Sequence, residues 1–164
     1  MKMVQVKLEG LALDMTTNTP VVILSPEDDD RVLPIWIGHA EAWAIAMELS
    51  GVAPKRPMTH DLMRQAIEVL GAGVERVEIT ELREQTFYAV VYLDRNGDGR
   101  QLDARPSDSI ALALKTGCPI YVNADLFEAR PEGDQEAPPM PTDRESLRER
   151  LKKINPEDFG KYSL

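Results

Sequence analysis

One cysteine, two histidines and an aromatic content of 5% in 164 residues leave several chemistries without material. Cys118 has no second cysteine to pair with, so the fold needs no oxidising compartment. His39 and His60 do not stand in a Cys/His or HExxH spacing, which removes the usual zinc enzymes. No serine sits in a Gly-x-Ser-x-Gly elbow, and no GxxxxGK[ST] loop is present to cradle a nucleotide. No stretch approaches the roughly 20 apolar residues that span a bilayer. The opening "MKMVQVKLEG" alternates apolar and polar residues and has no signal-peptide core, so the expectation is a soluble, cytoplasmic protein without membrane partners. Cations are also short: 19 Lys and Arg against 28 Asp and Glu give a net charge of -9. Such a chain repels a polyanion at long range and is not built to coat nucleic acid, although a local site remains open.

What is present is a β-rich beginning. Val4, Val6 and Leu8 alternate, and Leu11 and Leu13 continue in the opposite phase after Gly10, which predicts a strand with a bulge. "TPVVIL" (19–24) and "RVLPIWIG" (31–38) predict two more strands around the acidic turn "SPEDDD", with Pro34 suiting an edge or a bulge better than a central strand. Ala42, Ile45, Ala46 and Leu49 recur at helical spacing up to Gly51. A second helix is expected from an N-cap at Thr59, with Leu62, Ala66, Ile67 and Leu70 on its buried face and Gly71 as its stop. "VERVEITEL" (74–82) and "TFYAVVYL" (86–93) are β-branched and aromatic, and an Asn-Gly turn leads back into "RQLDA". Ser107 is the expected N-cap of a third helix burying Ile110, Ala111 and Leu114 before Gly117, and "PIYV" is a last short strand. The fold class is therefore α+β, a mostly antiparallel sheet with three main helices. Residues 1–130 form the expected domain, 131–143 a proline-rich linker, and 144–164 a tail whose helix carries only Leu147, Leu151 and Ile154 as an apolar stripe.

"DRNGDG" offers Asp94, Asn96, Asp98 and Gly99 at the offsets of a calcium loop. Its twelfth position is Arg105 instead of a bidentate Glu, so the turn reading stands. A more persistent pattern is an acid near the start of each helix: Glu41, Asp61 and Asp108. The helix dipole alone favours each by about 0.3–1 kcal/mol. Brought to one place, the three would instead make an oxygen-ligand site for a divalent cation. Lys55, Arg56, His60 and Arg105 lie close to these acids in sequence, either as their ion-pair partners or as phosphate ligands beside free helix N–H groups. Trp36 and Trp43 fit core or interface packing better than base stacking.

"GLALDMTTNTPVVIL", "RVLPIWIGHAEAWAIAMELSGV", "RPMTHDLM" and "LDARPSDSIALALKTGCPIYV" follow one another in the order seen in the bifunctional nuclease family, which the chain resembles over about residues 3–130. The resemblance implies an α+β domain that self-associates, with a dimer as the expected state, and an activity against DNA and RNA. The matching positions are Glu41; Arg56, Thr59, His60 and Asp61; and Asp103, Arg105, Pro106, Ser107 and Asp108. His39 and Trp43 depart from the family pattern, and His39 is given no essential role.

Together, residues and resemblance point to a metal-assisted nuclease with little sequence preference, binding nucleic acid weakly. Glu41, Asp61 and Asp108, with Asp103 as a further candidate, would hold Mg²⁺ or Mn²⁺. His60, Asp61 and Asp108 would carry the catalysis, and Lys55, Arg56, Arg105 and Ser107 would contact the substrate. The rival is a non-catalytic regulatory or interaction module, or a phosphate-ligand sensor, using the same helix N-termini.

Overall fold

The chain alternates between a meander, a helix pair, a second meander and a late strand that joins the two. A computed structural model describes residues 1–128 and 144–154. Strands β1 (Met3–Asp14), β2 (Thr19–Pro26) and β3 (Leu33–Trp36) are followed by helices α1 (His39–Leu49) and α2 (Thr59–Val69). Then come β4 (Gly73–Arg83), β5 (Thr86–Arg95), β6 (Asp98–Ala104), α3 (Pro106–Thr116), β7 (Ile120–Asn123) and a 3₁₀ turn at Ala124–Phe127. Helix α4 (Arg144–Arg150) and strand β8 (Leu151–Lys153) complete the described elements.

All eight strands share one sheet in the order β3-β2-β1-β7-β4-β5-β6, with β8 pairing β1 beside β7. Every pairing is antiparallel except β4 with β7, so the fold is α+β with a mostly antiparallel sheet, as expected. The phase change read at Gly10 is a bulge: Leu8 faces Leu24 and Gly10 faces Ile23, leaving Glu9 unopposed. Pro34 lies on the edge strand β3, where its missing N–H is harmless. Asn96 and Gly97 both take positive φ at the β5–β6 turn, the backbone that Asn-Gly favours.

One core joins the sheet to α1 and α3. Val22, Leu24, Ile35, Ile79 and Val122 meet Ile45, Ile110 and Leu112 within it. α2 is an outer helix, and its buried face differs from the expected one. Of the expected face only Ile67 turns inward, beside His60 and Met63; Leu62 is 62% exposed, Leu70 69%, and Ala66 is exposed as well. Counting apolar residues favoured the wrong stripe because the contact that orients α2 is polar: Asp108 takes the His60 ring.

Two expected caps also move. Met58 and not Thr59 precedes α2, and Asp61, at the third helical position, reaches back to accept the Met58 N–H at 3.0 Å. Arg105 and not Ser107 precedes α3, with Pro106 as the first helical residue, where its lost N–H has no intrahelical role.

The helix expected over 144–154 stops at Arg150, and Leu151–Lys153 instead pairs antiparallel with Ala12–Asp14. β7 pairs with only the first part of β1, Met3–Val6, so the far end of that long strand has open backbone groups for β8 to take. Leu147 closes a small cluster with Val21 and Val32, out of phase with Val22 and Leu24, so β2 is covered on both faces. The linker and the last part of the tail lie outside the described residues.

Candidate functional site

α1 and α3 lie side by side on the shared core and run the same way, with an ion pair at each end of the pair. At the start Arg105 Nη2 donates to Glu41 Oε1 at 2.7 Å, and at the finish Lys115 Nζ lies 2.8 Å from Glu48 Oε2. Glu41 is placed by the turn before it. It occupies the third position of α1 and folds back over Gly38, where a Cβ would overlap its carboxylate. Glycine is the cap residue that leaves this room.

Arg105 also binds within its own helix start. Its Nε donates to Asp108 Oδ2 at 2.8 Å, so one guanidinium holds two carboxylates from two helices. The other Asp108 oxygen lies 3.0 Å from Nε2 of His60, at the start of α2. Three helix N-termini are thus joined in one chain, Glu41–Arg105–Asp108–His60. His60 is buried, whereas the Arg105 side chain stays 65% exposed.

The electrostatics follow from that chain. Partial burial pushes the Asp108 carboxyl upward, but hydrogen bonds from Arg105 and His60 outweigh it and hold the group below its ordinary 3.8. Hydrogen bonds to Asp108 and Glu41 keep Arg105 above its usual range. An ionised Asp108 can only accept, so His60 Nε2 carries the proton of their bond and Nδ1 is the basic nitrogen of the neutral ring. Beside the chain, a cleft of about 210 Å³ opens between α1, the start of α2 and α3; its walls include Trp43, Met47, Met58 and His60.

Asp61 belongs to a different group. Its Oδ1 lies 2.9 Å from Lys115 Nζ, at the far end of α3 from Asp108, and its Oδ2 takes the Met58 N–H. Burial raises the Asp61 carboxyl and the Lys115 amine's hydrogen bond, with the Met58 N–H, lowers it below 3.8 overall. Lys115 in turn is pushed down by burial and raised further by Glu48 and Asp61, ending above its ordinary 10.5.

The expected metal ligands Glu41, Asp61 and Asp108 are therefore not gathered around one point. Both oxygens of Asp61 and both of Asp108 already meet donors, and Glu41 is tied to Arg105. Asp103 is exposed on β6. Among the described residues no three of His, Cys, Asp and Glu form a group able to hold a metal ion. The donor set as arranged does not fit Mg²⁺ or Mn²⁺, each of which seeks several oxygen ligands about one centre.

Of the expected substrate contacts, Arg105 is central, Ser107 is buried at the second position of α3, and Lys55 and Arg56 are exposed in the link before α2. Trp36 is structural: its Nε1 donates to the buried Asp14 at 2.9 Å. Lys115, Glu48 and Met47 escaped the sequence reading, and Trp43, read there as core or interface packing, stands in the cleft wall. A lysine in the last turn of α3 was the available signal for the first, since a cation there suits the helix dipole.

Comparison with known proteins places the chain in a family. The family model of the bifunctional nuclease domain matches residues 22–133. An uncharacterized protein of Mycobacterium tuberculosis is 44% identical over 162 residues, covering 94% of this chain and 97% of that protein. Bifunctional nuclease 1 of Oryza sativa subsp. indica is 27% identical over 113 residues, 67% of this chain but 34% of its own length. Bifunctional nuclease 1 of Arabidopsis thaliana is 26% identical over 111 residues, 65% of this chain and again 34% of its own length. The chain thus spans about a third of the plant relatives it matches, and the family model covers more than half of the chain. The chain belongs to the bifunctional nuclease domain family.

Proposed function

We propose that the chain is a phosphodiesterase acting on DNA and RNA with little sequence preference, centred on Arg105 and His60. The observation that carries this reading is an exposed guanidinium, fixed edge-on by Glu41 and Asp108, one carboxylate away from a buried histidine in a cleft. The N–H groups of Arg105 not used by Glu41 and Asp108 bind the phosphate, and Lys55 and Arg56 add attraction from the link. A water attacks phosphorus while His60 Nδ1 takes its proton, and the bond to the leaving oxygen breaks. Asp108 holds the ring in the tautomer this needs and balances the charge of the imidazolium that forms. Asp61 has a positioning role through Lys115. No step is assigned to Mg²⁺ or Mn²⁺, since the acids are engaged elsewhere.

The test is cleavage of labelled single-stranded RNA and DNA by purified protein with Mg²⁺, Mn²⁺ or EDTA, beside an Asp108→Asn variant prepared identically. Cleavage that persists in EDTA and falls about a hundredfold or more in the variant is expected. Equal cleavage by both preparations, the sign of a contaminant, overturns the reading. Loss in EDTA alone would show Glu41 and Asp108 leaving Arg105 for a cation when substrate binds.

A second reading has its own observation. Glu41, Asp61 and Asp108 each have a cation of the chain as partner, as an interaction module with purely structural motifs requires. Absence of cleavage, with no thermal shift on adding phosphate, selects it; a phosphate-induced shift without turnover selects a sensor. For either activity, the outward face of α2, with Leu62 and Val69 exposed, is the surface we assign to self-association as a dimer. Sedimentation of the wild type and a Val69→Lys variant tests that assignment.

A further inference from the structure

Arg105 lines more than the cleft beside His60. It also stands at the end of a groove of about 430 Å³ between α3, Met63 of α2 and the edge hairpin β5–β6. Val91 and Leu102 are cross-strand partners and so share a face of the sheet, and Phe87, four residues from Val91, lies on that face too. With Leu112 from α3 these side chains make the groove apolar, and Arg105 and Asp108 give it one charged end. Leu102 is 46% exposed on the edge strand, so one wall of the groove is open to a ligand.

We propose that this groove receives an unpaired nucleobase of the strand whose phosphate Arg105 binds, so that the substrate class is single-stranded nucleic acid. The inference rests on the phosphodiesterase reading and extends it to substrate choice. Continuity is the first support: phosphate site and groove share Arg105 and Asp108, so a nucleotide bound at one reaches the other. Charge is the second. A chain of net charge -9 is not drawn to a polyanion at long range and offers few cations around Arg105, so contacts to something besides phosphate add affinity that charge does not supply. Packing a base against Phe87 and Leu102, over the buried Val91, supplies such contacts without reading sequence, because every base has an apolar face. In a duplex those faces are stacked on one another and only base edges are available. The groove therefore discriminates by strandedness and not by sequence.

Fluorescence anisotropy with a labelled oligonucleotide, its duplex and its abasic counterpart of equal charge tests the idea by binding alone. The base-bearing single strand is expected to bind roughly five- to a hundredfold more tightly than the abasic strand, the range that stacking of one base covers. It should also bind more tightly than the duplex. Leu102→Ala removes groove wall from an exposed edge position, where the fold tolerates it; it should weaken the single strand several-fold and leave the abasic strand unchanged. A Leu102→Glu variant, expected to weaken the single strand further, guards against a fortuitous effect of the first. Equal binding of the three ligands, no binding of any, or wild-type binding by both Leu102 variants overturns the proposal. Single-strand preference without cleavage would leave the groove standing and remove the phosphodiesterase reading. Cleavage of single strand and duplex alike, unchanged by Leu102→Ala, would do the reverse.

Discussion

Two arginines of this chain hold aspartates in ion pairs of similar length, yet their surroundings give them different capacities. Arg150 Nη2 lies 3.0 Å from Asp14 Oδ2, and the Asp14 side chain, with no exposed surface, also accepts from Trp36. The Arg150 side chain is 9% exposed, so no ligand reaches this pair, and it fastens the 144–154 segment to β1. Arg105 holds Asp108 at 2.8 Å but is 65% exposed, and it borders a cleft, a groove and a histidine. A charge that is satisfied inside and open outside can exchange or add an anion, whereas a charge sealed on every side can only stabilise. Ion-pair geometry alone does not separate the two; access does.

Breaking the sealed pair has the largest expected effect on the fold. Arg150→Met strands a buried carboxylate and should lower unfolding free energy by about 3–5 kcal/mol in a urea titration, with cleavage per folded molecule unchanged. At the open site His60→Gln should cost at least about a hundredfold in cleavage rate, as removal of a proton-transfer group does, with a small change in urea midpoint. A pH series sharpens the contrast. Asp14, Asp61 and Asp108 are all held below 3.8, so their stabilisation is complete at neutral pH and is lost as pH falls below that value toward their lowered ones. Lys115 has the opposite sign: its share is complete below 10.5 and lost as pH rises through its raised value. Melting temperature should therefore fall at the acid end, and less steeply in Arg150→Met, where Asp14 has already lost its partner. The smallest effect belongs to the exposed face of α2, where Val69→Lys should change monomer stability by no more than about 0.5 kcal/mol while dissociating the proposed dimer.

Local chemistry was readable in the sequence where it acts over a few residues. The bulge at Gly10, the Asn96–Gly97 turn, the edge position of Pro34 and the left-handed Gly117 after α3 all depend on backbone preferences of the residues themselves. The motifs around Glu41, His60 and Arg105 were also visible, but their meeting point was not, because it depends on α1 and α3 lying parallel. The pair is closed at its far end by Lys115 and Glu48, which lie inside the quoted motifs but were not singled out there. The α2 stripe was misjudged because hydrophobic periodicity is blind to a histidine drawn inward by a carboxylate. Leu151–Lys153 has a helix-like pattern in isolation and becomes a strand because β1 presents an open edge. Asp61 shows the limit of reading acids by position. It stands beside His60 in the chain, yet its partner is at the other end of α3.

The central claim, that Arg105 is an open charge used on a ligand and not a fastener, is tested most directly by Arg105→Ala, measured for cleavage and urea unfolding in the same preparation. Exposure limits the stability cost of its ion pairs to about 1 kcal/mol, whereas loss of the phosphate contact should reduce cleavage of single-stranded RNA about a hundredfold. That separation is the predicted result. Full cleavage by the variant, or a loss of stability as large as that from Arg150→Met, would contradict it and make the network at the three helix starts a structural clasp.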